Sequence, residues 1–131
     1  MDNLSGSNWN NATSRLIIMA AGLAGALGVM AAAGASHGDS RNLSGIATIC
    51  LAHGPALLAL GLLGKGRVLT SAGLLLAAGT IVFAADLASR EWLNQGLFPG
   101  AAPLGGVGMI GGWLAVMSSG VLDWWKAERF K

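Results

Sequence analysis

Charged side chains punctuate this chain instead of being spread along it. Four stretches carry none: Leu16–Gly38 and Asn42–Gly64 with 23 residues each, Val68–Ala85 with 18, and Trp92–Leu122 with 31. An uncharged, mostly apolar run of about 18 residues or more is long enough to cross a bilayer as a helix. The pattern predicts four spanning helices at about 16–35, 43–63, 68–88 and 104–123. The division that follows is a polar leader at 1–15, a transmembrane domain at 16–125 and a basic tail at 126–131. The leader, rich in Asn and Ser, is expected to lie disordered or along the interface. The first run is too long for the roughly 7–15-residue apolar core of a signal peptide, and it follows a polar segment. It is read as a retained helix.

Composition agrees with this class. Hydrophobic residues make up 53% of the 131-residue chain and charged ones 11%, against about 25% charged in an ordinary soluble domain. That excludes a disordered protein, which needs low hydrophobicity and high charge. The net charge of +2 does not point to nucleic acid, because the basic residues sit at the ends of apolar runs and form no stripe. They act as topology signals. Arg15, Lys65, Arg67, Lys126, Arg129 and Lys131 fall on one side, Arg41 and Arg90 on the other. The positive-inside rule then places both termini and the second turn in the cytoplasm.

Short connections make consecutive helices antiparallel neighbours, so the expected fold is all-α, an integral membrane four-helix up-down bundle. Small residues supply the packing signal. Ala20, Ala24, Gly28 and Ala32 recur every fourth position in the first span, and Gly105, Gly106, Gly108 and Gly112 crowd the last. Such faces let backbones approach where lipid gives no hydrophobic drive between helices.

Candidate chemistry is sparse. His53 lies ten residues from each end of the second span, near mid-membrane, where an ionisable side chain is costly and raises a functional hypothesis. One reading makes it a proton-relay or solute-binding group. The other makes it a neutral imidazole that ties two helices together. Pro55 favours the tie, because its ring removes a backbone donor and leaves the Leu51 carbonyl in need of a partner. His37, Asp39, Arg41, Asp86 and Arg90 all belong to the outward end and form a candidate polar cluster. Asp86 and Arg90 are spaced i,i+4 for an ion pair, and His37 is placed to cap its own helix. The two histidines lie at different depths, which excludes axial ligation of one haem. The single Cys50 excludes an intrachain disulfide and a CxxC site. No catalytic motif is present, and no metal or other cofactor is expected.

Three segments carry a likeness. They are AAAGASHG at Ala31–Gly38, AHGPALL at Ala52–Leu58, and the long segment from Gly79 to Trp113. His37-Gly38, His53, Phe83 with Asp86-Leu87, and Pro103-Gly105-Gly106 followed by Gly112-Trp113 appear in the order and spacing of one family. The chain resembles the YgdD-like family of small inner-membrane proteins of unknown function. Ser36 stands where that family usually has alanine, and Gly54-Pro55 replaces a plainer His-Ala-Leu pattern. The resemblance implies a four-helix protein of the bacterial inner (plasma) membrane and supplies no activity.

The reading that follows is a structural or accessory membrane protein, not an enzyme. Its expected partners are the lipid bilayer and either further copies of itself or a larger membrane complex. The alternative is a minimal transporter or proton-conducting bundle centred on His53.

Overall fold

A computed structural model describes residues 4–130, with side chains from Ala12 onward. Four helices account for nearly all of it: α1 (Leu4–His37), α2 (Arg41–Leu63), α3 (Gly66–Leu93) and α4 (Ala101–Arg129). Each is long and apolar enough to cross a membrane. The helical form follows from the chemistry of the spans. In hydrocarbon every backbone N–H and C=O needs a partner within the segment, and a helix provides it.

The ends are set by local signals. Ser40 opens α2, its Oγ accepting the Leu43 N–H at 3.1 Å. Gly64 and Lys65 alone separate α2 from α3, and Gly66 takes φ +86° at the turn. Asn94 closes α3 in the left-handed region (φ 55°), and Gly100 precedes α4 at φ 87°. Pro103 stands in the first turn of α4, where a missing N–H removes no helical bond.

Three boundaries differ from the sequence expectation. Residues 4–15 of the expected leader are the first turns of α1, a stretch that no proline interrupts, and residues 1–3 lie outside the described residues. Helix α3 runs on to Leu93, past Asp86 and Arg90, because those two charges neutralise each other on one face. Helix α4 continues to Arg129, so residues 126–129 of the expected tail form its last turn, and Lys131 lies outside the described residues.

Consecutive helices are antiparallel neighbours, and the bundle is flattened. Helix α1 packs along α2, α4 packs along α3, and α2 meets α3 in the middle; α1 does not approach α4 among the described residues. One core cluster joins Ile17, Ala21, Leu57, Leu76, Ala77 and Met109, and a second joins Ala24, Ala31, Ile46, Cys50 and Ala84.

Glycines set the closest approaches. A methyl group on Gly105 would lie 2.7 Å from the Phe83 amide nitrogen, and one on Gly112 2.6 Å from Leu76. On Gly108 it would meet the Gly79 Cα at 3.3 Å, and on Gly28 the Leu51 side chain at 2.8 Å. Gly106, expected among these packing positions, meets nothing within 4 Å. It falls out of phase with the 105–108–112 face that α4 turns toward α3.

Candidate functional site

Helix α2 buries the stripe Ile46, Cys50, His53 and Leu57, spaced i, i+4, i+7, i+11 on one face. His53 is the polar member of that stripe and is 8% exposed. Its Nδ1 lies 2.9 Å from the Ile49 carbonyl, and its Nε2 lies 3.2 Å from the Trp113 indole Nε1 on α4. A carbonyl only accepts and an indole N–H only donates, so these contacts fix the ring. Nδ1 carries the proton and donates it to Ile49, while Nε2 accepts from Trp113. The rings meet edge-on, their centroids 6.0 Å apart. Both nitrogens are therefore occupied in a neutral imidazole. The bond also joins two helices whose backbones do not otherwise come close among the described residues.

Pro55 faces away from this contact, exposed beside Gly22 and Gly25 of α1. His53 takes the Ile49 carbonyl and not that of Leu51, so the two residues are not coupled as their proximity in sequence suggested. Gly54 has its own reason. A methyl group there would sit 3.4 Å from the Gly25 nitrogen and 3.5 Å from the Ala21 oxygen, so α1 and α2 meet backbone to backbone.

A buried carboxylate, Asp86, lies elsewhere in the bundle with 0% exposure. Its Oδ2 accepts from Arg90 Nε at 2.8 Å, and its Oδ1 accepts the Leu97 N–H at 2.8 Å. The carboxylate thus clamps the α3–α4 connection back onto the helix that carries it. Gly96 passes close enough that a methyl group would lie 3.0 Å from Asp86 Oδ1.

The expected outward cluster is only partly assembled. Asp86 and Arg90 form their pair. His37 is exposed and bonded to its own helix at the Ala33 carbonyl, 2.7 Å away. Asp39 and Arg41 are exposed, and no hydrogen bond or ion pair joins them to Asp86 or Arg90 among the described residues. Sequence reasoning missed Glu91. Its Oε2 accepts from Ser40 Oγ at 2.7 Å and Asn42 Nδ2 at 3.1 Å, and so ties the start of α2 to the end of α3. The available signal was Ser40 itself, a capping residue whose hydroxyl proton needs an acceptor.

Little else connects these groups. Thr48 and Ser118 donate to carbonyls of their own helices. Thr80, 2% exposed, has a hydroxyl with no partner among the described residues. Among the described residues no three His, Cys, Asp or Glu side chains are grouped to hold a metal ion.

Apolar side chains such as Met19 (68% exposed), Val107 (66%) and Ile110 (62%) cover the outside of the bundle. A soluble monomer rarely shows an apolar surface on this scale. Together with four spanning-length helices, this defines a multi-pass membrane protein. The chain belongs to a family described as "Protein of unknown function (DUF423)", whose model matches residues 24–106. The match takes in His37, His53, Asp86 and Glu91 and ends before Trp113. No curated protein and no solved structure matches the chain significantly.

Proposed function

We propose that this protein is a structural or accessory component of the bacterial inner membrane, of the YgdD-like kind. It packs with itself or with a larger membrane complex and catalyses no reaction. The observation that carries this reading is the saturation of His53, whose donor is held by its own helix and whose acceptor ties α2 to α4. A proton relay needs a chain of exchangeable groups. The buried carboxylate of Asp86 is closed by its own partners. Small-residue positions left open on the outer surface, Gly22 and Gly106 among them, suit close contact with another helix. The basic residues at the Arg15, Lys65 and Lys126 end favour cytoplasmic termini.

The test is reconstitution into vesicles holding a pH-sensitive dye, with chemical cross-linking in intact cells beside it. The expected result is proton flux equal to that of protein-free vesicles, and discrete cross-linked products containing this chain. Flux in the wild type that is lost in His53→Ala overturns the reading in favour of a conducting bundle.

A further inference from the structure

Between α1 and α3 runs an apolar groove of about 450 Å³, floored by α2. That volume lies in the range of about 300–1,000 Å³ typical of small-molecule sites. Small side chains create it: Ala24, Ala31 and Gly34 on α1 face Ala77, Ala84 and Ala88 on α3. One end is closed. Ile17 of α1 packs into the space above Gly73 of α3, where a methyl group would lie 2.7 Å from its Cδ1. The lining begins just beyond, at Ala20 and Ala77, and continues to Gly34 and Trp92. At 1.5 Å rise per residue this is about 20 Å of helix, slightly more than the roughly 15 Å hydrocarbon depth of one leaflet.

The open end is polar. His37 lies three residues beyond Gly34, and Glu91 three beyond Ala88, so both continue the groove-facing stripes. Glu91 is held there by Ser40 and Asn42, and the exposed Trp92 stands beside it, as interfacial tryptophans do. Inside, the wall is almost wholly apolar, with Cys50 the one sulfur-bearing side chain on the α2 floor. Thr80 lines it, but its Oγ1 is inaccessible.

We propose that this groove holds one acyl chain of a phospholipid, its headgroup at the His37–Glu91 rim. The shape selects this occupant over a second copy of the protein. A helix is about 10 Å across and needs a path through the full bilayer, whereas α1 and α3 touch at the closed end. A single hydrocarbon chain enters sideways from one leaflet and ends where the groove ends. The proposal does not depend on the accessory role, since a conducting bundle would have the same groove.

The probe is a phosphatidylcholine with a diazirine midway along one acyl chain, incorporated with the full-length protein in lipid nanodiscs. After irradiation, mass spectrometry locates the adducts. We expect residues 20–34 and 77–92 to be labelled at least fivefold more densely than the lipid-facing surface of α4 around Val107 and Ile110. Ala85→Phe, which fills the groove, is expected to cut that labelling at least fivefold and leave α4 unchanged. If Ala85→Phe does not fold, Ile81→Trp, at a 48% exposed lining position, provides the same block. Equal labelling of groove and α4, or labelling indifferent to the filling variant, overturns the proposal. So does a chain-to-chain product from a photoreactive amino acid placed at Ile81.

Discussion

Replacing Gly105 by alanine adds one methyl group at a point with no room. The new Cβ would lie 2.7 Å from the Phe83 nitrogen, 2.8 Å from the Gly79 oxygen and 2.9 Å from the Phe83 Cβ. Two of those atoms are backbone, so no rotamer change relieves the contact and α4 has to move off α3. Overpacking of this kind costs about 1–3 kcal/mol, and the helix separation it forces also loosens Gly108 and Gly112. The adjacent residue provides the control. Gly106→Ala meets nothing within 4 Å and removes the roughly 0.5–1 kcal/mol helix penalty of glycine. Both variants gain that propensity term, so the difference between them is the overpacking cost alone, about 1–3 kcal/mol, with Gly105→Ala the less stable. Reversible unfolding in mixed micelles, titrated with a denaturing detergent and followed by circular dichroism, measures the difference. Equal effects of the two variants would refute the packing account of the α3–α4 pair.

Three further outcomes follow from the buried polar groups. Trp113→Phe keeps an aromatic ring but removes the donor to His53, and is expected to cost about 1 kcal/mol, within the range found for interhelical bonds in membranes; a double-mutant cycle with His53→Leu should recover that value as coupling. Arg90→Ala leaves the Asp86 carboxylate buried with only the Leu97 N–H, and is expected to cost about 2 kcal/mol, less than for a wholly buried pair because the Arg90 side chain is 49% exposed. In the same variant limited proteolysis should speed up in the 94–100 connection. Thr80→Val removes a hydroxyl that has no partner and is expected to raise the melting temperature, by about 1 kcal/mol in stability terms. A loss of stability there would reveal a partner for Thr80.

The spans were legible because hydrocarbon tolerates few charges, so Asp39, Arg41, Lys65 and Arg67 mark the end of α1, both ends of α2 and the start of α3 within a few residues, whereas Arg15 lies inside α1. Helix α3 exceeded its run because Asp86 and Arg90 satisfy each other, which depends on a side-chain pairing and not on hydropathy. The depth of His53 could be counted from the sequence, but its partner could not. Trp113 lies sixty residues away, and the rotation of α4 against α2 is fixed only once Gly105 and Gly112 have seated α4 on α3. The same rotation separates Gly105 from Gly106, a difference that the i, i+3, i+7 phase already contained. Glu91 was overlooked because its role depends on two helix ends meeting across the α1–α2 connection. The groove between α1 and α3 was invisible for a related reason: an alanine-rich stripe reads as close packing until the structure shows the space left between the two helices beyond the Ile17–Gly73 contact.

The central claim is that the bundle's deepest imidazole is a structural tie with both nitrogens committed to protein. Nitrogen-15 solid-state NMR of the histidine- and tryptophan-labelled protein in bilayers tests it directly. The account predicts a protonated Nδ1 and a bare Nε2 for His53, with magnetisation transfer from the Trp113 indole proton to that Nε2. A protonated Nε2, or a ring that exchanges with water and shows no contact with Trp113, would contradict it.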